Sequence, residues 1–337
     1  MPCLIPEILF EIGKKLMEDG NSDTVIQFSL SGKQQFQTMK SLFASATTLK
    51  LYSGHFNIGW ENKLCEFSNN RLANLLLNSN GNRVNTLFIE KYIPEYQSVL
   101  DRIAEKKQLT SVYVSNKFCS NPSYMIHYLP ILSSSLKNMT IPNCLMNEKF
   151  RDSFKLKSLT VITEFNEFQY LKFCCITDLL EFSSDYGIFR FFFDLDYLES
   201  SQYSPHLSSV KQLTFNGSVF EPWFKFECDK LMNCFSSTEI VKFNILTKPF
   251  DHRYLFGYLV LLKRSIKCFI DNIKNETKVP PKMNVTFLKV GFLNFNYCKL
   301  ICKDFDVNES NAAFYCFKKT IKSAGSESTI LEIQFAR

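Results

Sequence analysis

The chain has 337 residues, 45% apolar and 21% charged, with a net charge of +6. That balance excludes an intrinsically disordered chain, and the length allows a large core and more than one ordinary domain. Glycine and proline, at 11 each, are too few for a turn-rich β-sandwich; lysines and arginines are interspersed with acids rather than gathered on one stretch, which argues for a solvated, mildly basic surface and against nucleic-acid binding.

The first elements are helical. Pro6 suits the first turn of a helix, where its missing N–H costs nothing. Ile8, Leu9, Ile12 and Leu16 then fall on one apolar stripe, with Glu7 and Glu11 toward the helix start and Lys14 and Lys15 toward its end, in the sense the helix dipole favours. Gly20-Asn21 ends this helix, and Ser22 or Asp23 can cap the next, whose apolar face is Val25, Ile26 and Phe28. Gly32 breaks it, and a third helix carries Phe36, Met39 and Phe43. Three such short helices make too small a core to stand alone securely, so they need a partner: the rest of the chain, which they would cap, or another protein.

From residue 46 onward the pattern changes. "LKNMTIPNCLM" places Leu136, Met139, Ile141, Cys144 and Met146 on the repeat L-x-x-L-x-L-x-x-N/C-x-L, in which L-x-L is a short strand with its apolar side turned inward. Weaker copies place Leu49 and Leu51; Val84, Leu87 and Ile89; Leu109, Val112 and Val114; Leu156, Leu159 and Val161; Leu180 and Phe182; Val210, Leu213, Phe215, Ser218 and Phe220; Val241 and Phe243; Val285, Leu288 and Val290; and Leu331 and Ile333. The fourth repeat position, at 87, 112, 139, 159, 180, 213 and 241, recurs in steps of 25, 27, 20, 21, 33 and 28 residues, followed by longer steps of 47 and 43 to Leu288 and Leu331. Helical apolar spacing is read between strands over residues 61–78, 95–108, 254–275 and 311–323. The nine-residue run Tyr254 to Leu262 is far short of the ~20 residues of a membrane span and reads as a core helix. The 34 phenylalanines read as core.

Chemistry-bearing motifs are sparse. No Gly-rich phosphate loop follows any strand, which removes the usual function of a doubly wound α/β domain, and no G-x-S-x-G, P-loop or H-E-x-x-H is present. Asp194 and Asp196 form a carboxylate pair that a solvated strand or loop end explains. The 12 cysteines, including the neighbours Cys174-Cys175 and the pair Cys298 and Cys302, contain no C-x-x-C, and the four histidines lie far from them; buried, reduced thiols are expected, Cys144 among them, with no metal and no cofactor. With no leader ahead of the first helix, this implies a reducing compartment, cytoplasmic or nuclear.

Two resemblances give these patterns a function. "L-x-P-E-I-L-x-x-I…L", an acid-rich turn and "V-x-x-F-S-L-S-x-K-x-x-F" resemble an F-box, the three-helix module that docks on the Skp-type adaptor of cullin-RING ubiquitin ligases. The matching residues include Leu4, Glu7, Ile8, Leu9, Ile12, Leu16, Val25, Phe28 and Lys33; Ile5 intervenes before the proline, and Phe36 stands near the usual tryptophan. The F-box resemblance covers about residues 3–45, an eighth of the chain, and together with the repeats it resembles nematode-type F-box proteins with degenerate, Phe-rich leucine-rich repeats. The resemblance implies an F-box-like helical module over residues 1–45 and, over 46–337, an α/β leucine-rich-repeat-like solenoid with a parallel sheet. It implies a non-enzymatic substrate receptor that binds the adaptor through Leu4, Pro6, Ile8, Leu9, Ile12, Leu16, Val25 and Phe28 and a protein substrate through the concave strand face. A leucine-rich-repeat interaction scaffold outside any ligase is the alternative. It predicts the first helix buried against residues 46–80.

Overall fold

A computed structural model describes residues 5–115, 123–132, 134–145, 154–162, 176–184, 205–218, 228–246, 255–288, 294–308 and 313–336. The chain is mixed α/β and divides into two compact units, Met1–Lys155 and Leu156–Arg337. The change from helical to repeat-like sequence at residue 45 therefore falls inside the first unit.

In the first unit, α1 (Pro6–Glu18), α2 (Ser22–Leu30) and α3 (Lys33–Ser45) form where expected, but Asn21 rather than Ser22 or Asp23 caps α2, accepting from the Thr24 N–H at 3.1 Å. Among the described residues six strands follow: β1 (Thr48–Leu51), β2 (His55–Trp60), β3 (Lys63–Ser68), β4 (Thr86–Ile89), β5 (Ser111–Val114) and β6 (Asn138–Pro142), in the sheet order β3-β2-β1-β4-β5-β6. Pairing is parallel from β1 through β4 and β5 to β6, and antiparallel from β1 through β2 to β3. Helices α4 (Arg71–Leu77), α5 (Gln97–Lys106) and α6 (Ser123–Leu132) lie between strands in the chain. Helix α5 buries Val99, Leu100, Ile103 and Ala104 and stops where Lys107 turns left-handed, at φ 50°.

The second unit orders its strands β7-β8-β9-β10-β11-β14-β13-β12: β7 (Lys155–Ile162), β8 (Ile176–Ser184), β9 (Gln212–Ser218), β10 (Ile240–Leu246), β11 (Lys282–Leu288), β12 (Asp306–Asn308), β13 (Phe314–Lys322) and β14 (Ser328–Ala336). Strands β8, β9, β10, β11 and β14 pair in parallel, and β14, β13 and β12 are antiparallel. Among the described residues its helices are α7 (Cys228–Cys234), α8 (Leu255–Asn275) and α9 (Phe295–Ile301).

The repeat positions are the register of these sheets. Leu49, Leu87, Val112 and Met139 are successive partners in the first unit; Leu180, Leu213, Val241, Met283 and Leu331 are partners in the second, and all are buried. One rung further, Phe182, Phe215, Phe243, Val285 and Ile333 line up, with Phe182 stacked 5.6 Å from Phe215 and Phe215 5.4 Å from Phe243. Burial of each such ring contributes roughly 1.5–3 kcal/mol, and stacking adds about 0.5–1.5.

Several expectations are corrected. Residues 63–68, expected as helix, are β3, because Cys65 and Phe67 alternate inward against β2. Residues 314–322, also expected as helix, are β13, held by pairing along its whole length with β14. The fourth repeat position in β11 is Met283 rather than Leu288, which is only half-buried. Cys144 is neither buried nor reduced: it is exposed and disulfide-bonded, and the buried residue of that turn is its neighbour Asn143, followed by buried Leu145. In α8 the core stripe is Leu262, Ile266, Phe269, Ile270 and Ile273, whereas Val260 and Leu261 are exposed. Met146, Phe220, Val290, Cys174, Cys175, Asp194 and Asp196 lie outside the described residues.

Candidate functional site

The expected stripe on α1 divides in two. Leu9, Gly13 and Met17, at i, i+4 and i+8, face inward, and Leu9 is only 2% exposed. Gly13 is what lets α1 approach α3: a Cβ there would lie 2.6 Å from Leu42 Cδ1 and 3.0 Å from Met39 Sδ. Ile8 and Ile12 point the other way with Ile5, and the three are 47%, 41% and 58% exposed. Leu16 and Phe28 are half-buried, Val25 is buried, Pro6 is exposed at the helix start, and Leu4 lies outside the described residues. Of the sequence-predicted set, only Ile8 and Ile12 are thus brought together on an accessible face, Pro6 being exposed two residues from Ile8 and so on a different side of the helix. Ile5, not among the expected residues, extends it; its spacing of three to Ile8 is the signal that could have found it.

The same helices also lie on the sheet. Both α1 and α2 contact β3. The Lys63 Nζ donates to Glu18 Oε2 at 2.9 Å, and this bond, the largest influence, holds the Glu18 carboxyl below its ordinary range. Trp60 Nε1 donates to the Ser45 carbonyl at 3.2 Å, and Phe43 meets Phe67 edge-on at 5.2 Å. The module is therefore tied to the first unit on one face and bare on another.

The strands of each unit have a second face, made of the residues between the inward positions. In the first unit one row runs Glu66, Asn57, Lys50, Phe88, Tyr113, Thr140. Phe88 stacks on Tyr113 at 4.8 Å, Tyr52 lies 5.3 Å from Phe88, and His55 stacks on Tyr52 at 4.3 Å. Burial, then the nearby Glu90 and Glu66 carboxylates, push the Tyr52 hydroxyl up in pKa. The turn that carries Tyr52 and His55 is fixed from beneath: the buried Tyr96 hydroxyl lies 2.8 Å from the Tyr52 carbonyl and 3.0 Å from that of His55, and accepts from Asn69 Nδ2 at 2.9 Å.

The second unit's outward rows are polar: Glu181, Thr214, Lys242, Asn284, Glu332, and Ser183, Asn216, Asn244, Thr286, Gln334. Asn244 Nδ2 donates to Asn216 Oδ1 at 2.7 Å, Asn216 Nδ2 to Glu181 Oε1 at 2.6 Å, and Gln334 Nε2 to Glu332 Oε1 at 2.6 Å. Burial raises the Glu181 carboxyl despite the Asn216 bond and the Lys242 charge.

Among the described residues no group of three or more His, Cys, Asp or Glu could hold a metal ion, and no helix is long and apolar enough to cross a membrane. Seven described cysteines are free; burial pushes Cys65 and Cys298 up to about 12 and raises Cys228 and Cys302 as well, so these thiols stay protonated at neutral pH. The pair Cys298 and Cys302 is buried together at α9.

No protein-family model, no curated protein and no solved structure matches the chain.

Proposed function

We propose that the chain is a substrate receptor of a cullin-RING ubiquitin ligase. In this reading α1, α2 and α3 are an F-box-like module that docks on a Skp-type adaptor, and the strand–helix repeats are those of a leucine-rich-repeat-like solenoid whose outward strand face holds a protein substrate. The receptor makes and breaks no bonds itself; it brings a substrate to a ligase by proximity. The observation that carries the reading is the two-sided α1: Leu9, Gly13 and Met17 serve the fold, and Ile5, Ile8 and Ile12 are left as a bare apolar stripe on a short module. Such a stripe is what a groove-binding or helix-packing partner covers.

The contacts of α1 and α2 with β3 and the Glu18–Lys63 pair favour a second reading, in which the helices cap a repeat scaffold outside any ligase. Co-expression separates them. The full-length tagged chain, produced with a Skp-type adaptor and passed over a sizing column, is expected to elute as a stoichiometric complex and to recover a cullin from native extract. A chain that elutes alone at micromolar adaptor leaves the scaffold reading.

A further inference from the structure

We infer that the solvent side of α8 and α9, in the second unit, docks an acidic segment of a protein partner that also carries apolar side chains. The inference goes beyond the adaptor reading and does not depend on it, since it concerns other helices in the other unit. Helices α8 and α9 touch, and both are anchored on the inward side of the strands: Phe269 of α8 lies edge-on to Phe243 at 6.0 Å, and Phe295 of α9 stacks on Phe317 at 6.2 Å. Phe243 and Phe317 share that side, because Phe243 registers with Val285, Val285 with Ile333 and Ile333 with Phe317. The other sides of the two helices therefore form one solvent surface. Val260, Leu261 and Leu300 are exposed on it, Leu300 at 64%. So are Lys263, Lys267, Lys299 and Lys303. Val260, Lys263 and Lys267 follow at i, i+3 and i+7 and so share a stripe about 10 Å long. On α9, Lys299 adjoins Leu300, and Lys303 follows just past the helix end.

The sign of this surface is fixed by what is left unpaired. Among the described residues none of the four lysines has an ion-pair or hydrogen-bond partner. Arg264, on the same stripe, is already engaged within the fold, so the charge is counted without it. Asp271 is taken by Lys274, at 3.7 Å. Asp304 and Asp306, which follow α9, set two acids against four lysines, and the surface stays positive. Lys263 and Lys267, one turn apart, repel each other until an anion lies between them. Carboxylates complement these lysines, and apolar side chains on the same segment cover Val260, Leu261 and Leu300. A phosphate backbone meets the charge but leaves those three uncovered. A bilayer needs a helix whose apolar face is free, and in α8 that face, Leu262, Ile266, Phe269, Ile270 and Ile273, is buried in the core.

Fluorescence anisotropy with the full-length chain tests this. The probes are a labelled glycine–serine peptide carrying glutamates and leucines, its lysine-for-glutamate counterpart, its serine-for-leucine counterpart and a labelled single-stranded oligonucleotide; flotation with phosphatidylcholine vesicles containing phosphatidylserine is read beside them. The glutamate–leucine peptide is expected to bind best, to weaken with added salt, and to weaken at least about tenfold in Lys263→Glu/Lys267→Glu and in Lys299→Glu/Lys303→Glu. Leu300→Ser is expected to weaken it as well. Lys91→Glu/Lys106→Glu, exposed lysines of the first unit, changes the net charge equally and should leave binding near wild type. All these positions are exposed, so melting temperatures should match the wild type; the two lysine pairs are independent, and either one that is folded carries the test. Preference for the lysine peptide, the oligonucleotide or the vesicles, equal binding of the peptide without leucine, or equal loss in the first-unit variant overturns the inference. Adaptor binding is read separately: a chain that binds adaptor but not the peptide loses this inference alone, and one that binds the peptide but not adaptor loses the ligase reading alone.

Discussion

The strands of the two units are alike inside and different outside. Their inner columns, Leu49, Leu87, Val112 and Met139 in one and Leu180, Leu213, Val241, Met283 and Leu331 in the other, are interchangeable in kind. Their outer rows are not: one is a ring ladder flanked by acids, the other an amide-and-carboxylate network. A repeat constrains only the residues that pack inward, so the outward residues are free to vary, and the two units carry different chemistries there.

The sharpest way to break this contrast is to truncate one ring on each side. Phe243 is fully buried, stacked on Phe215 and edge-on to Phe269 at 6.0 Å. Phe243→Ala is expected to cost about 3–5 kcal/mol, whereas Phe88→Ala on the outward face of the first unit costs about 1 kcal/mol or less. Hydrogen exchange checks both: Phe243→Ala should strip protection from strands of the second unit, and Phe88→Ala should leave protection of the first largely intact. Equal losses would mean that the outward ladder is core.

A smaller effect tests how the ladder is held. Tyr96→Phe keeps the buried ring but removes the hydroxyl that ties the Tyr52 and His55 carbonyls, and is expected to cost about 1 kcal/mol in a denaturant titration and to broaden the NMR signals of the Tyr52–His55 turn. An unchanged turn would show that Tyr96 positions nothing.

The smallest effect concerns the second unit. Burial tends to raise the Asp229 carboxyl, but bonds from the Lys278 and Thr277 N–H groups and the Thr277 hydroxyl outweigh it and hold the group low. Its folded pKa lies below its unfolded one, so these bonds stabilise fully above the unfolded value of ~3.9 and are lost as pH falls through the folded value. The wild type should therefore lose stability between about pH 5 and 3 more steeply than Asp229→Asn, by chemical denaturation at each pH. Parallel slopes would remove Asp229 from the account of acid sensitivity.

How much of this is legible in the sequence follows from what each pattern measures. Apolar spacing finds residues that pack inward, so the strand columns, α5 and the buried stripe of α8 are visible in the sequence alone. It fails at β3 and β13, where Leu64 and Phe67, or Phe314, Phe317 and Ile321, mimic a helical period; antiparallel pairing decides those segments. The β2–β3 turn offers no Asn-Gly or Asp-Gly signal: Trp60 pairs with Lys63 across Glu61-Asn62, with Glu61 at φ 49°. At residues 143–144 both neighbours satisfy the repeat's N/C position, and the fold puts Asn143 in the interior and Cys144 at the surface. On α1 the pattern counts Ile8, Leu9 and Ile12 together because it cannot see Gly13, the contact that fixes which side faces α3. The ring ladder escapes a reading that takes every aromatic residue as core; its signal is present in the middle residues of "LFI" and "VYV".

The most direct test uses the two isoleucines of the expected docking set, which the fold leaves bare. Ile8→Asp and Ile12→Asp each place a carboxylate on an exposed position, so the melting temperature should stay within a degree or two of wild type, whereas Leu9→Asp should unfold the module. A carboxylate forced into an apolar interface costs several kcal/mol, and each ~1.4 kcal/mol is tenfold in affinity. Calorimetry with a purified Skp-type adaptor is therefore expected to show tight binding by the wild type and none by Ile8→Asp or Ile12→Asp, at unchanged melting temperature. Binding equal to wild type in both variants, or no binding by the wild type itself, would contradict the proposed receptor.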